Sequence, residues 1–202
     1  MLFYILTIII GMLAIIVANV FSVPFDWNNL LWVSVNVVIG TVGVISLDGI
    51  GATVIRRLLP RRWFMPTHKL WNVPKWEHNF YKAIKIKAWK DHVPELGGFT
   101  SFSKSELKST NDKSYLEQFL VEINYGYVIH WQNAICGFAI MFIPYWFNVT
   151  GVLFPCPPSI WIPIFAVNFI LSLLPAFILR YTGYTLARLY KKQVKKAQEA
   201  QE

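Results

Sequence analysis

Three side chains in this 202-residue chain sit where polar groups are costly: Asp48 within ISLDGIGA, His130 within YVIHWQNAICG and Arg180 within FILRYTG. A histidine poised near neutral pH can take a proton from a hydroxyl as that hydroxyl attacks a thioester, and a carboxylate can orient the imidazole. Asp48 could supply that carboxylate. One chemistry open to these residue types is acyl transfer, with the acceptor in a membrane and a soluble donor at its cytoplasmic face. Each also has a plain structural reading: His130 as a satisfied interfacial residue, Asp48 as a helix-packing group, Arg180 as an arginine snorkelling to a membrane boundary. An ionised aspartate inside a span costs about 2.5–3.5 kcal/mol on insertion scales, so Asp48 should face a partner or a wet cavity.

The elements that must position these groups are long apolar blocks. Apolar residues make up 55% of the chain and charged ones 15%, a membrane composition. A span needs about 20 apolar residues, and four segments qualify: 2–23, 30–55, 125–147 and 160–182. The expected architecture is therefore an all-α membrane protein of four transmembrane helices. A hairpin over 1–55 is followed by an interfacial segment over 56–124, a second hairpin over 125–182 and a tail over 183–202. The first segment is read as retained rather than as a signal peptide, because no Lys or Arg precedes it and no small-residue cleavage site ends it.

Charge gives the orientation. All 19 Lys and Arg residues fall between Arg56 and Lys113 or between Arg180 and Lys196. The positive-inside rule places both stretches, and both termini, in the cytoplasm. The net charge of +8 is then explained by topology and by anionic lipid headgroups, and a nucleic-acid platform is not expected. Cys136 falls within a span and Cys156 in an outer loop, so no disulfide is expected between them.

Pro60, Pro66 and Pro74 predict an irregular stretch hugging the membrane, with Trp63, Phe64, Trp71 and Trp76 suited to the headgroup layer. Within residues 75–95, KWEHNFYKAIKIKAWKDHVPE, the spacing of Trp76, Phe80 and Ile84 predicts one amphipathic interfacial helix ended by Pro94. Its lysines are either a solvated anchor face or a receptor for donor phosphates. Residues 100–114 read as a mobile connection, and 114–124 as helix leading into the third span. There, helical phase puts Gly126, Tyr127, His130, Asn133 and Gly137 on one face and points Gln132 elsewhere. In the fourth span Asn168, Ser172 and Pro175 form a weak polar stripe ending at Arg180.

Several familiar chemistries are missing from the sequence. No histidine has an aspartate five residues on, and there is no G-x-S-x-G elbow, no HExxH or paired-cysteine metal site and no Gly-rich phosphate loop. The residues alone leave the reaction open. A lipid-binding or scaffolding membrane protein and a transferase with a different donor stand beside the acyltransferase.

One ordered set of short motifs narrows the choice: Trp76-Glu77, Phe80-Tyr81, Ile84-Lys85-Ile86-Lys87, Trp89-Lys90-Asp91, Pro94, Glu122, Ile129-His130-Trp131, Arg180-Tyr181 and Arg188-Leu189. Over residues 60–192 this resembles the glycosyl-4,4'-diaponeurosporenoate acyltransferases of staphyloxanthin-type carotenoid synthesis, although His78-Asn79 stand where a glycine is expected. The resemblance implies transfer of a fatty acyl group from acyl-CoA to a hydroxyl of a membrane-embedded glycolipid such as a glycosylated carotenoid. On that reading His130 is the general base and Asp48 or Glu122 orients it. Lys85, Lys87 and Lys90 meet donor phosphates, and Glu77, Trp89, Asn133, Arg180 and Tyr181 contact donor or acceptor. No metal or bound cofactor is expected; acyl-CoA enters as a substrate, and glycolipid and anionic headgroups are the partners.

Overall fold

A computed structural model describes residues 2–22, 24, 26–93, 111–142 and 158–199, and all regular structure among them is helical. Six α-helices follow in order: α1 Leu2–Val20, α2 Trp27–Leu58, α3 Lys75–Ala83, α4 Ile86–Trp89, α5 Lys113–Cys136 and α6 Pro158–Glu199. They build two compact units, each from separate stretches of chain: residues 1–53 with 131–172, and residues 54–130 with 173–202.

The first unit holds α1, most of α2, the end of α5 and the first part of α6. Its core joins Val33, Val37 and Val44 of α2 with Val20, Ile160 and Ile164. Small residues permit close helix approach there: a Cβ on Gly51 would overlap the Gln132 amide, and one on Gly137 would lie 2.6 Å from Asn168 Nδ2. The Asn19 amide donates to Ser159 O at 3.2 Å and fastens α1 to the start of α6. Outside this core the surface is apolar. Ile9, Ile10, Leu13 and Val17 of α1 are exposed, as are Leu31, Val35, Val38 and Val42 of α2, a distribution suited to lipid rather than to water.

The second unit is built round the other halves of α5 and α6. Leu116, Phe119, Leu120 and Ile123 recur at helical spacing on α5 and pack on Leu179, Leu186 and Tyr190 of α6, a stripe that the 3.6-residue period dictates. The Asp112 carboxylate caps α5 by accepting from the backbone N–H groups of Ser114 at 2.8 Å and Tyr115 at 3.2 Å, which satisfies donors a helix start leaves open. Residues 59–74 are irregular apart from two short 3-10 turns, Arg61–Phe64 and Lys69–Trp71, as the prolines require. Phe64 is buried and stacks on Tyr125 with centroids 3.7 Å apart. Asn124 Nδ2 donates to Phe64 O at 2.8 Å, tying the irregular stretch to α5.

Among the described residues two helices are long and apolar enough to cross a membrane, Trp27–Leu58 and Pro158–Glu199; Ile5–Val20 is a shorter apolar helix. Only 22% of the most apolar window of α2 is buried, which a soluble core helix would not show. The third expected span begins as α5, which runs unbroken out of the polar segment and passes into a 3-10 stretch, Gly137–Phe142. Residues 143–147 lie outside the described residues, as do Pro94, the connection over 100–110 and Cys156. The tail continues α6 as helix to Glu199.

The interfacial helix differs from expectation. It is two helices, α3 and α4, broken at Ile84–Lys85, where Lys85 takes a left-handed φ of 52°. The Trp89 indole N–H donates to Ile84 O at 2.9 Å and holds the break. Trp76 and Phe80 of the apolar stripe are exposed, while His78 and Tyr81 are buried on the opposite side.

Candidate functional site

The buried polar side of α3 meets α6 in the second unit. Glu77, in the first turn of α3, and Arg180 of α6 form a two-armed ion pair: Nε donates to Oε1 at 2.9 Å and Nη2 to Oε2 at 3.3 Å. Each side chain is only 13% exposed. The remaining capacity of the pair is used. Tyr81 OH donates to Glu77 Oε1 at 2.8 Å, Arg180 Nη1 donates to Leu70 O at 3.3 Å, and the guanidinium lies over the Tyr127 ring at 5.2 Å. Arginine suits this place because its planar fork matches a carboxylate and its face stacks on an aromatic ring. Burial, the hydrogen bond to Glu77 and the Glu77 charge push the Tyr81 phenol well above its ordinary range, so it serves as a donor and not as a base.

Beside this pair His78 is stacked between Tyr184, with centroids 3.9 Å apart, and Tyr181 at 5.2 Å. Its Nδ1 has no hydrogen-bond partner among the described residues. Burial first, then the charges of Lys82, Arg188 and Lys87, hold its pKa below the ordinary 6.5. His78 therefore enters this layer as a neutral ring.

Arg180 and Tyr127 also wall a cavity of about 420 Å³, within the range of ligand sites, formed between the 66–73 stretch, α5 and α6. Its cations are Lys113 from α5 and Arg180, Lys191 and Lys195 from α6, and no carboxylate is among the described lining residues. Asn72, Asn124 and Tyr190 add polar groups and Trp71 an aromatic wall. Tyr190 OH donates to Glu117 Oε2 at 2.7 Å, and burial with that carboxylate pushes the phenol up to about 12.

The expected site residues fall into four groups. Glu77, Arg180 and Tyr181 come together as described. His130 is half-buried on α5, in the second unit, with Glu122 two turns earlier; eight residues of helix separate them by about 12 Å along the axis, and the Glu122 carboxylate pairs with Arg56 at 3.0 Å. Lys85, Lys87 and Lys90 are exposed and do not line the cavity, and Lys90 lies 3.6 Å from Asp91. Trp89 is committed to the backbone of Ile84.

Asp48 and Asn133 belong to the first unit. Asn133 O accepts from Asn168 Nδ2 at 3.0 Å. Three buried oxygens there, Asp48 Oδ1, Gln132 Oε1 and Asn133 Oδ1, have no hydrogen-bond partner among the described residues. Helical phase turns Gln132 away from the His130 face, and in the structure it packs on Gly51. His78, Tyr127, Lys113, Lys191 and Lys195 were not expected as site residues. Basic clustering was visible for the lysines, but nothing local marks which of 19 cations share a cavity.

Among known proteins, residues 60–192 match the family described as glycosyl-4,4'-diaponeurosporenoate acyltransferase. No curated protein and no solved structure matches the chain.

Proposed function

Since the chain belongs to the glycosyl-4,4'-diaponeurosporenoate acyltransferase family, and is thereby an acyltransferase, we propose that it transfers a fatty acyl group from acyl-CoA to a sugar hydroxyl of a membrane-embedded glycolipid. The proposed setting is the cell membrane, crossed four times, with the interfacial segment and both termini in the cytoplasm. The observation that carries the reading is that the matched region contains the Glu77–Arg180–Tyr127 cluster and most of the cationic cavity it borders, whose remaining lining residues Val194, Lys195 and Gln198 follow directly on α6.

In the proposed step the His130 imidazole takes the hydroxyl proton as the sugar oxygen attacks the thioester carbonyl. The C–O bond forms, the C–S bond breaks, and the departing thiolate takes up the proton. Arg180 and Tyr181 act as positioning residues through Glu77, Tyr127 and His78. Within the first unit, Asp48 Oδ1, Gln132 Oε1 and Asn133 Oδ1 are acceptors of the kind that hydroxyl donors would satisfy. Exposed Lys85, Lys87 and Lys90 suit anionic headgroups better than an enclosed donor.

Protein in lipid nanodiscs, given a long-chain acyl-CoA and a glycosylated carotenoid, is expected to yield the glycolipid heavier by one acyl group less one water, with release of free thiol. His130→Ala is expected to lower the rate at least about 100-fold, the usual contribution of a general base. A product formed at the full rate by that folded variant would remove His130 from the reaction. Absence of any acylated product with every acyl-CoA offered would remove the donor assignment.

A further inference from the structure

We infer that the cavity between the 66–73 stretch, α5 and α6 binds the phosphorylated adenosine of the donor, with Lys113, Lys191 and Lys195 on its phosphates. This rests on the reading of the chain as an acyl-CoA-dependent enzyme. The volume of about 420 Å³ is too small for a whole acyl-CoA but of the size that holds a nucleotide-sized group. Lys191 and Lys195 are four residues apart on one helix and so point the same way, one turn from each other; Lys113 reaches the cavity from α5. No carboxylate among the described lining residues opposes them.

The three lysines differ from Arg180. The fork of Arg180 is taken by Glu77 and Leu70 O, whereas among the described residues Lys191 is held by Asn72 Oδ1 at 3.5 Å and Lys195 by an exposed pair with Glu199 at 3.5 Å. Exposed contacts of that length are exchanged for phosphate at little cost. A lipid headgroup offers the same phosphate chemistry, but usually as a single charge. Three lysines from two helices, with Trp71 and Tyr190 in the wall, are matched better by a ligand carrying several phosphate charges and a flat ring.

The test uses full-length protein in nanodiscs of phosphatidylcholine, titrated with 3′-phosphoadenosine 5′-diphosphate. Saturable binding is expected, weakened about fivefold or more by each of Lys113→Ala, Lys191→Ala and Lys195→Ala, in line with loss of a charge-assisted hydrogen bond. Lys192→Ala, exposed on the same helix but outside the lining, is expected to bind as the parent does. In turnover the three cavity variants raise KM for acyl-CoA and leave kcat unchanged. Equal nucleotide affinity in parent and cavity variants would overturn the inference, as would displacement of the nucleotide by 20% phosphatidylglycerol in the nanodisc. Acyl transfer whose KM ignores all three lysines overturns the cavity assignment and leaves the proposed reaction standing. Nucleotide binding that needs the lysines, in a protein that transfers no acyl group from any acyl-CoA, upholds the cavity and overturns the reaction.

Discussion

Arg180 is held by two carboxylate bonds, one carbonyl and one aromatic face, so its loss leaves several groups unmet at once. Arg180→Ala strands Glu77 with its charge largely buried, and breaking such a pair by removing one partner costs about 3–5 kcal/mol. Thermal unfolding in detergent is expected to register that loss, and Glu77→Gln combined with Arg180→Met to recover part of it; a double variant as unstable as Arg180→Ala would contradict the pairing. His78 makes a second, pH-dependent prediction. Its folded pKa lies below the ordinary 6.5 because burial and then Lys82, Arg188 and Lys87 oppose a charge on it. Above pH 6.5 the ring is neutral folded or unfolded. As pH falls through that value the unfolded chain binds a proton that the folded chain does not, so stability declines until the folded ring protonates too. The unfolding midpoint is expected to drop between pH 7 and pH 5, and the drop to shrink in His78→Phe, which keeps the stacking on Tyr181 and Tyr184. Arg180 and Glu77 could be named from sequence because each lies in a short motif. Their pairing could not, since 103 residues separate them, and His78 looked like a mere departure because its aromatic partners come from α6.

At the scale of the elements, apolar periodicity marked one face of the interfacial segment and left the other unread. Trp76 and Phe80 share one face of α3 and are 72% and 47% exposed, as suits a face turned to lipid, with Ile84 at the break beyond it, while Glu77, His78 and Tyr81 turn inward to partners on α6. A pattern argument assigns polar residues to solvent, and it fails wherever another helix supplies their hydrogen bonds and stacking. The break at Lys85 was equally hidden, since neither Ile84 nor Lys85 is a breaker by composition. Lys85 has the only positive φ among the described non-glycine residues, 52°, a conformation that costs an L-residue about 1–2 kcal/mol. Lys85→Gly is therefore expected to raise stability by up to about 1 kcal/mol, less than the full strain because glycine also gains freedom in the unfolded chain. Lys85→Val is expected to lower it. A destabilised glycine variant in detergent melts would show that the left-handed turn is not where the strain lies.

For the whole molecule, the apolar blocks and the partition of charge were legible because both depend on composition over tens of residues, and α2 and α6 bear them out as helices. The two units were not legible. Their boundaries fall inside α2, α5 and α6, between Thr53 and Val54, His130 and Trp131, and Ser172 and Leu173, where no linker composition marks a change. One consequence of charge can still be tested on the intact chain. α6 has 42 residues, about 63 Å at 1.5 Å per residue, roughly twice the thickness of a hydrocarbon core. In the proposed topology its last four turns, with Lys191, Lys192, Lys195 and Lys196, extend beyond the membrane into the cytoplasm, on the side away from the start of α2, which carries Asn28. In a background of Cys136→Ser and Cys156→Ser, Asn28→Cys is expected to react with a membrane-impermeant maleimide added to intact cells. Lys192→Cys is expected to react only after the membrane is opened. Labelling of Lys192→Cys in intact cells would reverse the orientation, and would move the cavity residues Lys191 and Lys195 to the side of the membrane where no cytoplasmic acyl-CoA could reach them.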